Sequence, residues 1–263
     1  MKKKLIDCIV FSIAVTLFSA CGGGGSGGNG VDDGDAGDGV SWVQYQTGSG
    51  SSVKALYKGP GSASRTSAQA GVLYPAIIYN HGKAVEKKGY EGAANSGYDI
   101  KDFVEAIAQA GYAGLAPIRW EGSNFDDGIE GGAIQYLKGR GDIDPARIYM
   151  IGFSRGGFMT VMSAITYSGD LKAIALMAPG FVGKDVWDAV EPDLDKTTAP
   201  VYVALGADEP DANISKYTTQ LVSDLTALGK EVESKLDYPG DHNWFKEVRS
   251  EYWNNIIDFI NRH

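Results

Sequence analysis

Five short apolar runs, at residues 76–79, 112–118, 148–153, 173–178 and 201–205, constrain this chain more than any other feature. Each is apolar at odd and even positions alike. A half-exposed strand alternates with a period of two, whereas a strand apolar on both parities is buried on both faces, as in a parallel sheet. Helical patterns lie between the runs. Ile100, Phe103, Val104, Ile107 and Ala108 follow a 3.6-residue period and stop at Gly111, a natural C-cap. Ile129, Ala133, Ile134 and Leu137 repeat it before Gly139, and Ile214, Tyr217, Leu221, Leu225 and Leu228 before Gly229. Val248, Tyr252, Trp253, Ile256, Ile257 and Ile260 form the last stripe. Strand and helix alternate at the length of βαβ units, which predicts an α/β fold: a mostly parallel open sheet with helices on both faces. A further strand is expected over 232–236, and residues 41–57 are expected to add one or two antiparallel edge strands.

The N-terminal forty residues read as address and tether. Lys2, Lys3 and Lys4 form a basic patch, and residues 9–20 are apolar or small without charge. That run is too short to cross a ~30 Å hydrocarbon core comfortably and suits a secretory signal over residues 1–20. It ends Leu17-Phe18-Ser19-Ala20-Cys21, which resembles the lipobox of bacterial lipoproteins. The resemblance implies that Cys21 carries lipid and anchors the protein to a membrane of the bacterial envelope, at the periplasmic face or the cell surface. Cys8 would leave with the signal, so neither cysteine remains for a disulfide or a thiolate nucleophile.

Residues 22–39 read GGGGSGGNGVDDGDAGDG, a flexible, self-repelling stretch that makes 21–40 a tether. Its acids do not make an EF-hand, since Gln44 stands at the twelfth position counted from Asp33. The net charge is -9. Loss of residues 1–20 would remove three Lys and one Asp and leave -11. Such a chain is repelled by nucleic acid. Residues 41–263 are long enough for one domain with a single core.

In a parallel sheet, chemistry sits at the carboxyl ends of the strands. The pattern G-x-S-x-G occurs twice. At 24–28 it lies in the tether, without strand or helix beside it. At Gly152-Phe153-Ser154-Arg155-Gly156 the apolar run 148–153 leads in and Phe158-Met159-Thr160-Val161-Met162 leads away as a helix. That is the setting of a nucleophile elbow, with Ser154 on a sharp strand-to-helix turn. A serine needs a base. His263 is terminal and expected to fray, and His81 directly follows the first core strand, where a structural role is expected. His242 lies between the 232–236 strand and the last helix, on the edge expected to carry Ser154, and is the expected base. The acid that holds the base should follow the strand 201–205, where Asp208, Glu209 and Asp211 are all in reach. Asp208 is favoured. The oxyanion hole is expected from the backbone N–H groups of Arg155 and of Lys83. Trp120, Trp187 and Trp244 could line the site, but packing is the simpler role.

With these pieces placed, the chain resembles the α/β-hydrolase superfamily, and within it the dienelactone hydrolase-like and prolyl oligopeptidase-like esterases. The resemblance rests on residues 74–82 (YPAIIYNHG), 111–117 (GYAGLAP), 144–148 (DPARI) and 152–157 (GFSRGG), within about residues 53–262. It implies hydrolysis of short-chain or glycan-linked esters by a Ser-His-acid triad, with no metal or organic cofactor. Ser154 stands where dienelactone hydrolase itself has cysteine. The family often places its acid three residues after the strand-end glycine, and Glu209 holds that position. About twenty residues separate Ala178 from Pro200, too few for a large lid, so an open site is expected. Two other functions are weighed: a prolyl oligopeptidase-like peptidase, whose usual propeller has no room in this length, and a noncatalytic glycan-binding lipoprotein on the same fold.

Overall fold

The computed structural model describes residues 39–60 and 73–263. The expected signal 1–20, Cys21, nearly all of the tether and the G-x-S-x-G at 24–28 lie outside the described residues. Among the described residues, eight strands form one sheet in the order β1-β2-β4-β3-β5-β6-β7-β8. They are β1 (Ser41–Gln46), β2 (Ser52–Lys58), β3 (Tyr74–Asn80), β4 (Ala113–Pro117), β5 (Ile143–Phe153), β6 (Ile174–Met177), β7 (Val201–Gly206) and β8 (Val232–Tyr238). Pairing from β4 through β8 is parallel, while β1 and β2 pair antiparallel at one edge. Every residue of β4, β6 and β7 is buried, the state that apolarity on both parities signals. The edge strand β8 is only partly covered and carries Glu233, Lys235 and Asp237 outward, charges that discourage further pairing.

Among the described residues, seven α-helices cover the two faces: α1 (Lys83–Ala94), α2 (Ile100–Gln109), α3 (Ile129–Lys138), α4 (Arg155–Thr166), α5 (Lys184–Asp188), α6 (Ala212–Ala227) and α7 (Ser250–Arg262). Helices α1, α2 and α7 bury Val85, Phe103, Ile107, Ile256 and Phe259 against one face. On the other, α3, α4 and α6 bury Ile134, Leu137, Val161, Leu221 and Leu225. Asp99 caps α2 by accepting from the Lys101 amide at 2.9 Å, and Asp211 caps α6 from the Asn213 and Ile214 amides. The stretch between β6 and β7 forms α5 and a 3₁₀ turn, Glu191–Lys196, whose Trp187 and Leu194 are buried in the α4/α6 layer. Among the described residues no helix is long and apolar enough to cross a membrane.

The tightest approach in the fold lies at the start of α4. A Cβ placed on Gly156 would sit 1.9 Å from the Asn80 carbonyl oxygen, at the end of β3. A Cβ on Gly152 would sit 2.3 Å from the Gly156 carbonyl oxygen. Only glycine lets the helix start this close to two strand ends. Overpacking of a filled site costs about 1–3 kcal/mol, and main-chain neighbours cannot swing aside, so Gly156→Ala should fall at about 3 kcal/mol or above. At roughly 2–4 °C per kcal/mol for a domain of this size, its thermal midpoint by circular dichroism should drop by about 6 °C or more. An unchanged midpoint would contradict this contact.

Candidate active site

Three loops at the carboxyl edge of the sheet build the site: those after β5, β7 and β8. Ser154, between β5 and α4, has φ 54 and ψ -123, a strained left-sided conformation for a residue with a side chain. The turn is held from both sides: the Ser154 amide donates to the Met177 carbonyl at 2.9 Å, and the Gly180 amide donates to the Ser154 carbonyl at 2.7 Å. His242 begins a 3₁₀ turn after β8, His242–Lys246, whose Asp241 cap accepts from the Asn243 amide at 2.9 Å. The Ser154 hydroxyl donates to His242 Nε2 at 2.8 Å. His242 Nδ1 in turn donates to Glu209 Oε2 at 2.7 Å. That carboxylate is 2% exposed and the imidazole 19%. Phe153 lies against the imidazole, with ring centroids 5.1 Å apart.

The structure therefore brings Ser154 and His242 together, and it corrects the acid. Asp208, favoured from sequence, is exposed, and its amide is turned into the β8 loop by a 3.2 Å bond to the Gly240 carbonyl. Asp211 caps α6 and does not touch the imidazole; its amide donates to Glu209 Oε1 at 3.1 Å. Glu209 thus has one oxygen on histidine and the other on a backbone N–H. The strand-end glycine was the available signal. Gly206 lies so close to the β8 loop that a Cβ there would meet the Gly240 carbonyl oxygen at 2.3 Å, and the turn that follows brings the third residue inward.

Of the expected amide donors, Arg155 follows the nucleophile directly, and Lys83 follows Gly82, which packs against it. A Cβ on Gly82 would be 3.4 Å from Ser154 Cβ. The Gly82 amide is taken by the Tyr98 hydroxyl at 2.9 Å. Lys83 follows as the first residue of α1, and Arg155 is the first of α4. An N–H at a first helical position has no acceptor within its own helix. Gly180 leaves room at the Arg155 amide, for a Cβ there would be 2.8 Å from that nitrogen. The N-terminus of α4 adds its partial positive charge at the same place.

The other histidines stand apart from this relay. His81 is fully buried, and its Nε2 accepts from the Arg119 amide at 2.9 Å, which leaves the proton on Nδ1 facing the Gly82 carbonyl at 3.0 Å. Burial first, then the Arg119 charge, holds its pKa well below the usual value, so the ring stays neutral. His263 does not fray: it packs on Phe259 at 4.6 Å and faces Glu231, which precedes β8 on the opposite edge of the sheet. Trp187 stacks on Tyr217, and Trp244 stacks on Tyr238, so both are packing residues. Trp120, in the loop after β4, is 42% exposed. Among the described residues no cluster of three or more His, Cys, Asp or Glu side chains is placed to hold a metal ion.

Sequence reading did not find the charged group beneath the site. Arg119 is 1% exposed, and its Nε donates to Glu86 Oε1 at 3.0 Å. Its Nη1 donates to Asn80 Oδ1 at 3.3 Å, and its Nη2 donates to the His81 carbonyl. Glu86 also receives Arg155 Nε, and Glu130 lies 3.7 Å from Arg119 Nη1.

No protein-family model matches the sequence, and no curated protein does. Solved structures do match. An esterase of Pyrococcus furiosus superposes with a TM-score of 0.65 at 13% identity, over 85% of this chain and 89% of its own. A putative dienelactone hydrolase of Klebsiella pneumoniae gives 0.59 at 18% identity, over 83% and 98%. Dipeptidyl peptidase 4 of Porphyromonas gingivalis gives 0.63 at 15% identity over 85% of this chain, which spans only 35% of that peptidase. At these identities the likeness establishes the architecture: the chain has the α/β-hydrolase fold.

The acid assignment can be tested by how fast Ser154 reacts with a fluorophosphonate probe. Glu209→Gln should slow labelling by about 10³-fold or more, because an amide in the acid position holds the wrong imidazole tautomer. Asp208→Asn should leave the rate within about twofold, as surface substitutions do. Equal losses in the two variants would return the acid role to an open question between neighbours.

Proposed function

We propose that this protein is a serine hydrolase that cleaves carboxylic esters, with short-chain or glycan-linked acyl groups, through an acyl-enzyme. The unbroken relay from the Ser154 hydroxyl through His242 to the Glu209 carboxylate carries this reading. Ser154 Oγ attacks the ester carbonyl as His242 Nε2 takes its proton. Glu209 keeps the imidazole in the tautomer that can accept that proton and stabilises the imidazolium that results. The amides of Lys83 and Arg155 receive the oxyanion, each contributing about 3 kcal/mol of transition-state stabilisation. His242 then gives the proton to the departing alkoxide. Water repeats the sequence on the acyl-enzyme, releasing the acid and restoring Ser154.

The shortness of the connection from β6 to β7, which is too brief for a large lid, supports a water-soluble substrate. The segment between β6 and β7 tucks Phe181, Trp187 and Leu194 into the layer of α4 and α6 while Val182 stays exposed, and exposed Trp120, in the loop after β4, offers a face on which a sugar ring or acyl group can stack. The full chain should hydrolyse p-nitrophenyl acetate, and Ser154→Ala should lower kcat by about 10⁶-fold, as loss of a catalytic serine does elsewhere. Turnover of peptide amides without esters would favour the peptidase. Neither turnover nor fluorophosphonate labelling would favour the noncatalytic binder.

We also propose that Cys21 is lipidated and holds the enzyme at a bacterial envelope membrane. The basic patch, the apolar run and the Leu17–Cys21 sequence LFSAC support this. Cys21→Ser should move the protein from the membrane pellet to the soluble fraction. Undiminished pelleting would overturn the anchor.

A further inference from the structure

We infer that Glu86 is a positioning residue for the oxyanion site, an inference that rests on the serine-hydrolase reading. Glu86 lies in the first turn of α1, three residues after Lys83, and is 7% exposed. Its carboxylate meets two guanidinium groups at once. Oε1 accepts from Arg119 Nε at 3.0 Å and from Arg155 Nε at 3.1 Å, and Oε2 lies 3.0 Å from Arg155 Nε. Arg155 is the residue after the nucleophile, and its amide is the second oxyanion donor. One carboxylate therefore links the helix that begins with the first donor to the side chain of the residue that supplies the second.

The link is braced on its far sides. Arg155 Nη2 donates to the Ser123 carbonyl, and Arg119 holds Asn80, the His81 carbonyl and, through its amide, His81 Nε2. Asn80 Nδ2 donates to Thr160 Oγ1 inside α4 at 3.1 Å. Loops after β3, β4 and β5 are thus tied into one unit at the place where the oxyanion must bind. Oxyanion stabilisation depends on donors held in position before charge develops, and a misplacement of about 1 Å can cost about 10²-fold in rate. Without the Glu86 charge, Arg119 keeps Glu130 at 3.7 Å, while Arg155, 29% exposed, can swing toward solvent and release α1 from α4.

The test uses the full chain with p-nitrophenyl acetate, counting active sites by fluorophosphonate labelling. Glu86→Gln should lower kcat per labelled site by about 10- to 100-fold with KM within about threefold, because the amides act on the transition state more than on the bound ester. A boronic acid inhibitor that mimics the tetrahedral state should bind more weakly by the same factor as the loss in kcat/KM. Arg155→Met keeps the backbone amide and leaves Glu86 paired with Arg119, so it serves even if Glu86→Gln does not fold. It should lose kcat similarly, and the double variant should lose no more than the worse single one. Full kcat per labelled site in Arg155→Met, or in folded Glu86→Gln, overturns the inference, as does additive loss in the double variant. Wild-type protein that neither labels nor hydrolyses esters overturns the hydrolase reading itself.

Discussion

The site depends on how closely one helix is allowed to approach one strand. With Gly156 almost in contact with the Asn80 carbonyl, α4 starts directly beside the end of β3. That approach puts the serine turn and the Gly82–Lys83 segment against each other. A longer side chain at 156 would push α4 away, and Ser154 would part from the Gly82–Lys83 segment even if it kept its own strained φ. The same approach lets Asn80 reach Thr160 on α4 at 3.1 Å. Packing between main-chain atoms therefore sets the geometry that the polar side chains then use.

Those polar groups are set unusually deep. Arg119 has no exposed side-chain surface, and Glu130 beside it is fully buried with neither carboxylate oxygen hydrogen-bonded among the described residues. Burial raises the Glu130 pKa and Arg119 opposes that rise. Taking such charges out of water offsets most of what their attraction returns, so the group is weak evidence for added stability. What it supplies is definition. Three loops that share no regular hydrogen-bond ladder are held to one carboxylate and one guanidinium, whose bonds have direction. Apolar contacts alone would allow those loops to slide. The cluster is best understood as a device for fixing loop positions, with its desolvation cost carried by the surrounding core.

Much of this architecture could be read from the residues. Strands β3 to β7 announced themselves because both of their faces are buried, and α2, α3, α6 and α7 because each buries a single stripe. Helix α1 was invisible: KAVEKKGYEGAA buries little apolar surface, puts Glu86 inside, and breaks at Gly89 with φ 72. Its helical form is imposed by where its first turn must dock, a tertiary constraint that no periodicity records. The charged partners were hidden for a related reason. Nothing local marks Glu86, Arg119 and Glu130 as buried, since they meet only when the segments that follow β3 and β4 converge. Ser154 and His242 were legible because topology alone fixes which loops share an edge.

The acid is the instructive miss. Asp208 and Glu209 are adjacent, equally charged and equally placed at the end of β7, so only the path of the turn distinguishes them. Gly206 lets the β7 and β8 loops touch, and two backbone bonds, Ala207 to Tyr238 and Asp208 to Gly240, zip them together. Those bonds turn the Asp208 side chain outward and Glu209 inward. Glutamate has one more rotatable bond than aspartate, and that freedom would loosen its hold on the imidazole. The Asp211 amide removes it by binding Oε1, while the Asp211 carboxylate fixes the start of α6. The three neighbouring acids therefore divide the work: one faces water, one orients histidine, and one anchors the backbone that keeps the second in place. Charge could nominate all three, and only the hydrogen-bonded course of the main chain could choose among them.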